Sequence, residues 1–220
     1  MDALETWTML SAEGIVLDRG QMRQLERFAG EITYWNEKIN MISRRDAENL
    51  WERHIAHSLA MLKYVAIPRK ARLLDVGTGG GFPGIPLAIA RPDCFVTLVD
   101  SIAKKSKMTA MFAQHTGLKT LTAINARAET LADDMRYVGN FDVITARAVA
   151  PAEEIIGWTR PLLKSGGIFV FLKGGDLTAE LDAARFAYPD AVITETPIEM
   201  RGFPWFAQDE KKVVICRFGE

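Results

Sequence analysis

The sequence predicts an α/β chain in which a mostly parallel seven-stranded sheet carries helices on both faces and is entered through an all-helical segment. Three observations carry that expectation. After Pro68 short β-rich apolar runs alternate with helical stretches and turn residues. A buried strand at Arg72 to Val76 runs directly into a glycine-rich turn and a helix started by proline. The strands, as spaced, bring the polar residues Asp75, Asp100, Asn125, Arg147 and Lys173 to their carboxyl ends, on one rim of the sheet.

With 220 residues, 48% of them hydrophobic, and 27 basic against 28 acidic side chains, the chain can bury a core and is too balanced to coat nucleic acid through bulk charge. Disorder, collagen and coiled coil are excluded. Cys94 and Cys216 stand far apart and outside any ligand spacing, so neither a disulfide framework nor a metal site is expected. The first residues lack a signal-peptide pattern, and no run reaches the ~18 uninterrupted apolar residues of a membrane span. A cytoplasmic protein without membrane association is expected.

Residues 1–68 read as a helical extension and 69–220 as the sheet domain, packed as one compact unit. Asp18 caps a helix from Arg19 to Asn40, along which Met22, Leu25, Phe28, Ala29, Ile32, Trp35 and Ile39 recur at the helical period. A second helix follows the capping signal of Ser43-Arg44-Arg45-Asp46 and turns Trp51, Ile55, Leu59, Leu62 and Val65 inward. Further strands are expected at Phe95 to Asp100, Lys119 to Asn125, Phe141 to Ala146, Gly167 to Lys173, Ala191 to Glu195 and Lys211 to Phe218. Helices are expected near Pro83 to Ala90, Lys104 to Thr116, Ala152 to Leu163 and Leu177 to Tyr188.

The segment Leu73-Leu74-Asp75-Val76-Gly77-Thr78-Gly79-Gly80-Gly81-Phe82-Pro83-Gly84 is a nucleotide-type turn. Glycines allow positive φ and let the backbone approach a ligand with no Cβ in the way. The glycine series alone fits a dinucleotide site as well. Asp75, two residues before Gly77, gives acid-x-Gly-x-Gly-x-Gly, which resembles motif I of class I methyltransferases, a Rossmann-like fold. S-adenosylmethionine carries a sulfonium and an ammonium, so an acid beside the loop has an electrostatic reason to be there. Asp100, ending the second strand, suits the two ribose hydroxyls. Phe82, inside the loop, is expected to pack against the ligand or a neighbouring strand.

Other chemistries lack their residues. Neither cysteine sits in the Pro-Cys or Thr-Cys pair of a cytosine carbon-5 methyltransferase, and Thr145-Ala146-Arg147-Ala148-Val149-Ala150-Pro151 replaces the Asn/Asp-Pro-Pro-aromatic loop used on exocyclic amines. Guanine N7 carries a lone pair and no proton, so positioning against the sulfonium suffices without a base. Arg147 or Lys173 could donate to O6 of such a guanine and leave N7 free. Alternatively Arg147 pairs with the cofactor carboxylate or with Asp75. The clusters Arg44-Arg45 and Lys104-Lys105, with Arg53, His54 and Lys173, are candidates for RNA contact. Arg19, Arg23 and Arg27 share one helix face, but the interspersed Glu26, Glu31 and Glu37 favour a solvated surface.

Asp75 to Pro86 with its Gly-Phe-Pro-Gly-Ile-Pro, Asn36-x-x-x-Asn40-x-x-Ser43, Arg53-His54-Ile55-x-x-Ser58, Asp100-Ser101-x-x-Lys104-Lys105, Arg127-Ala128-Glu129, Arg147-Ala148 and Leu172-Lys173-Gly174 together resemble the ribosomal RNA small subunit methyltransferase G family, also called glucose-inhibited division protein B. The likeness runs along nearly the whole chain. It implies a cytoplasmic enzyme, expected to be monomeric, that uses S-adenosylmethionine to methylate N7 of guanine 527 in the 530 loop of 16S RNA, its partner being that RNA or the small ribosomal subunit. The resemblance also implies cofactor contacts at Gly77, Phe82, Ala128, Glu129 and Arg147. The family often has serine where this chain has Ala146. Competing readings are a methyltransferase acting on another RNA, a protein or a small molecule, an NAD-type oxidoreductase, and a non-catalytic RNA binder with a vestigial pocket.

Overall fold

The computed structural model describes residues 1–219, the side chains of Arg44 and Arg45 excepted. Helix α1 (Ala3–Ala12) opens on a capping box between Asp2 and Glu5, a signal that the sequence expectation did not use. Helix α2 (Arg19–Asn36) starts on the Asp18 cap as expected, and buries Met22, Leu25, Phe28, Ala29 and Ile32. It stops short of Asn40 because the Asn36 side chain reaches forward over the residues that follow. Its Oδ1 accepts from the backbone N–H of Met41 at 2.8 Å and of Ile42 at 2.9 Å. The single helix expected after Ser43 is divided into a short α3 (Arg44–Ala47), a π-helical turn over Trp51–Ala56 and α4 (His57–Tyr64). The wider π turn carries an extra residue, a device found often at functional sites.

The sheet follows with β1 (Arg72–Val76), α5 (Gly84–Ala90), β2 (Phe95–Asp100), α6 (Ala103–His115), β3 (Leu121–Asn125), a 3-10 turn (Ala128–Asp133), β4 (Phe141–Arg147), α7 (Ala152–Thr159), β5 (Leu163–Gly174), α8 (Thr178–Ala187), β6 (Ala191–Pro197), α9 (Trp205–Gln208) and β7 (Lys211–Phe218). The strand order is β3-β2-β1-β4-β5-β7-β6. β1 to β5 pair in parallel, and β7 runs antiparallel to both β5 and β6. α7 ends earlier than expected, at Thr159, and the chain tightens into a 3-10 turn over Arg160–Leu162 with Pro161 inside it. The short α9 has no counterpart among the expected helices.

Side chains alternate across the sheet. Leu73, Val96, Leu98, Val143, Val170, Leu172 and Val213 face one side, where they meet α5, α6 and the N-terminal helices in one buried cluster reaching from Leu10 to Ile215. Leu74, Val99, Ile144, Phe169, Phe171 and Val214 face the other side and meet α7 and α8. Residues 1–68 thus share a core with the sheet. Phe28 of α2 joins them directly, its ring 5.1 Å from Phe82 and 6.0 Å from Phe112. Removing its ring would cost about 3–5 kcal/mol and withdraw support from the glycine loop. No helix among the described residues is long and apolar enough to cross a membrane.

Candidate methyl-transfer site

The glycine loop joins β1 to α5 at the carboxyl edge of the sheet. Asp75 is fully buried beneath it. Its Oδ2 accepts from the Thr78 hydroxyl at 2.6 Å and from the Gly84 N–H at 2.9 Å, closing the loop back on its own strand. Only glycine fits at 84, because a Cβ there would collide with Leu98 and lie 2.7 Å from that carboxylate oxygen. Asp75 Oδ1 is buried and has no partner among the described residues. Burial pushes the Asp75 acid up to about 7, against the lowering effects of the Thr78 and Gly84 hydrogen bonds and of nearby Arg147. At Gly79 φ is +57°, and a Cβ would meet only the Gly77 carbonyl oxygen, at 3.9 Å. That backbone therefore faces open space, unlike Gly77 and Gly81, whose Cβ positions are blocked by Val149 and Ile85.

Asp100 ends β2 with both oxygens engaged. Oδ2 accepts from Gly79 N–H at 2.9 Å and Oδ1 from Ile102 N–H at 2.8 Å. The carboxylate thus fixes the loop's middle glycine, a role beyond the one expected from its position. Each oxygen retains a second acceptor direction. Two adjoining cavities meet where Gly77 and Asp100 line both: one of about 480 Å³ and one of about 160 Å³ that reaches Ala128, Glu129, Val149 and Trp158. Glu129 accepts from Arg127 and is held below the usual carboxylate range by that hydrogen bond.

Arg147, at the end of β4, lies against the larger cavity. Its Nη1 donates to the Arg53 carbonyl at 3.2 Å, its Nη2 lies 2.6 Å from His54 Nδ1, and its guanidinium sits 5.1 Å from the centre of the Phe82 ring. Arginine only donates, so His54 Nδ1 must accept and the proton resides on Nε2. Burial, reinforced by the Arg147 charge, lowers His54 to about 3, so the ring stays neutral. Burial also lowers Arg147, to about 10, which leaves it charged at neutral pH. Arg147 makes no ion pair with Asp75 among the described residues; the two interact through space.

Of the strand-end residues, Asp100, Arg147 and Lys173 line the larger cavity, whereas Asp75 lies under the loop and Asn125 donates to the Asp100 carbonyl. Lys173 directs its ammonium to the Ala150 carbonyl at 2.6 Å and to Glu180 at 2.7 Å, bracing the segment after β4 that carries Val149 against Gly77. Lys105 reaches the cavity; Lys104 is exposed and does not line it. Arg53 and His54 line it from the π-helical turn. Arg19, Arg23 and Arg27 are exposed on α2, away from it. The Arg44 side chain lies outside the described residues.

The fold, a mostly parallel sheet with helices around it, is shared with solved structures. The chain matches the ribosomal protein L11 methylase of Lactobacillus delbrueckii subsp. bulgaricus with a TM-score of 0.56 at 16% identity, over 76% of this chain and 79% of that one. It matches a mutant of MtNAS in complex with S-adenosylmethionine with a TM-score of 0.59 at 17% identity, over 90% of this chain and 72% of that one. These establish the fold. Residues 21–199 match the model of GidB, rRNA small subunit methyltransferase G. A ribosomal RNA small subunit methyltransferase G of Pelodictyon phaeoclathratiforme is 37% identical over 97% of this chain and 93% of its own length, and one of Christiangramia forsetii is 40% identical over 76% and 79%. The chain belongs to the rRNA small subunit methyltransferase G family.

That family transfers a methyl group from S-adenosylmethionine to guanine N7 of 16S RNA, and the expectation of such an enzyme on this fold is borne out. The donor set fits the cofactor: a cradle at Gly79 open to a ligand, and an unpartnered buried carboxylate oxygen beneath it. Sequence reasoning missed His57, Trp205, Asp209 and Lys211, all of which line the larger cavity. His57 packs edge-on to Trp205 and Phe206, at 5.4 and 5.6 Å. Its only advance signal is its place one helical turn after His54.

Proposed function

We propose that this chain methylates N7 of guanine 527 in the 530 loop of 16S ribosomal RNA, acting as a monomer in the cytoplasm on the RNA or the small subunit. The observation that carries the proposal is a cavity beside the glycine loop whose charged lining is net cationic, Arg53, Lys105, Arg147, Lys173 and Lys211 against Asp46, Asp100 and Asp209, with no activated nucleophile in it. Both cysteines are buried elsewhere, and His54 and His57 are held neutral by burial. S-adenosylmethionine, when bound, supplies a methyl group on a cationic sulfur. The Gly77 to Gly81 backbone and Asp75 would hold its charged end, Asp100 its ribose, and Ala128 and Glu129 its adenine. Phe82 and Arg147 would stand between cofactor and base.

A guanine N7 attacks in line with no proton to remove, so the chain's task is orientation and electrostatics. Arg147, fixed by His54, Phe82 and the Arg53 carbonyl, can donate to O6 and leave N7 clear; Lys173 is a second such donor, with the third of its N–H bonds available. The test is transfer of labelled methyl from S-adenosylmethionine to unmodified small-subunit particles and to stripped RNA, followed by cleavage selective for 7-methylguanine. Cleavage at guanine 527 alone is expected. Label on RNA without such cleavage would overturn the N7 assignment.

A further inference from the structure

One wall of the larger cavity comes from residues 205–211, outside the 21–199 stretch that matches the family. Trp205 belongs to α9, Asp209 caps it, and Lys211 opens β7. Arg53 faces them from the π-helical turn. The Arg53 guanidinium lies 5.5 Å and the Lys211 ammonium 5.8 Å from the centre of the Trp205 ring, so one indole supports two cations. Their carboxylates stand off: Asp209 is 3.5 Å from Arg53 and 3.8 Å from Lys211, and Asp46 is 3.6 Å from Arg53. Closed pairs in the same chain measure 2.6 Å for Lys63–Glu13 and 2.7 Å for Lys173–Glu180, the usual charge-assisted range. Asp209 therefore accepts only a long hydrogen bond from Arg53, at 3.5 Å, and screens Lys211 from 3.8 Å without a hydrogen bond.

The placement follows from the sheet. Parallel strands bring their carboxyl ends to the rim, whereas antiparallel β7 brings its amino end there, pairing Lys211 with Gly174. A Cβ at 174 would lie 3.1 Å from the Lys211 ammonium, so glycine lets that side chain lie down across the strand end. β7 is three strands from β1, roughly 14 Å along the rim. A guanidinium fork and an ammonium sharing one side of a cavity suit a tetrahedral oxyanion, which can accept from both at once.

We propose that Arg53, Lys211 and Trp205 form a subsite for a backbone phosphate of the RNA substrate, adjacent to the target nucleotide, with Asp209 as the internal carboxylate that the phosphate displaces. The inference rests on the RNA-methylating reading above. It is tested with Lys211→Gln and Asp209→Asn in the full chain, by measuring binding of stripped 16S RNA over a salt series and, separately, binding of S-adenosylmethionine. Lys211→Gln is expected to weaken RNA binding about tenfold near 0.1 M salt and to reduce the slope of log affinity against log salt by about 0.7–0.9. Cofactor affinity stays unchanged. Asp209→Asn is expected to tighten RNA binding about threefold, since a competing anion is gone. An unchanged salt slope in Lys211→Gln would overturn the subsite. So would lost cofactor affinity, which would give the two cations to the cofactor carboxylate, or weaker RNA binding with a lower Tm in Asp209→Asn, the mark of a structural ion pair. Failure of the wild-type chain to methylate any RNA sinks the functional reading itself, whereas an active wild type with an unmoved slope sinks the subsite alone.

Discussion

The glycine-loop end of the cavity comes from one continuous stretch, Asp75 to Gly84, with Asp100 beside it, whereas the other end is collected from Arg53 to His57, Arg147, Lys173 and Trp205 to Lys211. At the first end backbone geometry decides everything: positive φ at Gly77, Gly79 and Gly81, and hydrogen bonds from Thr78, Gly79 and Gly84 onto two carboxylates. At the second, long side chains set the shape, tied by ring contacts and shared charge. A site for a constant cofactor can be written into one turn. On the proposed reading the RNA site is gathered from several elements, and its residues are expected to be separable in function.

That contrast can be broken by substitution. The largest effect is expected from Gly79→Val, which places a branched side chain in the open face of the loop at φ +57°. Cofactor affinity should fall more than about 100-fold while the chain stays folded by circular dichroism; unchanged affinity in calorimetry would remove the cofactor from that loop. Arg147→Lys keeps the charge and loses the fork that spans His54 and the Arg53 carbonyl. Methyl transfer to RNA should drop about 30- to 100-fold, the worth of one charged hydrogen bond, and full activity would show that charge alone suffices.

Asp75→Asn sharpens the comparison through pH. The amide oxygen of the variant side chain can keep the bonds from Thr78 and Gly84, so only the charge is lost. Asp75, flanked by Arg147 and Asp100, ionises near 7, so wild-type affinity for the cationic cofactor should weaken as pH falls through 7. The variant should bind about tenfold more weakly at pH 8 and nearly as well as wild type at pH 6; a pH-independent gap would contradict this. The folded value of Asp75 lies above the ordinary 3.8, so the fold holds a proton that the unfolded chain releases in between. Stability from this group falls as pH rises through that window, and Asp75→Asn should melt no lower than wild type at pH 8. Lys173→Ala is expected to give the smallest change, about a tenfold loss of turnover with cofactor binding retained. Equal losses in both would make Lys173 a brace of the Ala150 segment alone.

The legibility of the sequence follows the same division. The seven strands, the Asp18 cap and the Asp75 to Gly84 turn depend on neighbours in sequence, and periodicity and glycine spacing expose them. α2 ends at Asn36 and not Asn40 because a side chain reaches forward to two N–H groups, which no apolar period records. The π turn that brings Arg53, His54 and His57 to the cavity is invisible to a 3.6-residue reading. Trp205 and Lys211 read as ordinary residues near a last strand. Only the antiparallel insertion of β7 beside β5 carries them to the rim.

The most direct measurement is a crystal structure of this chain with S-adenosylhomocysteine, the demethylated product. The ligand is expected over Gly79, with its ribose at Asp100 and its adenine in the smaller cavity beside Ala128, and with Arg53, Trp205 and Lys211 untouched. A ligand whose amino acid portion pairs with Arg53 and Lys211 would contradict the division of the cavity into a cofactor end and an RNA end.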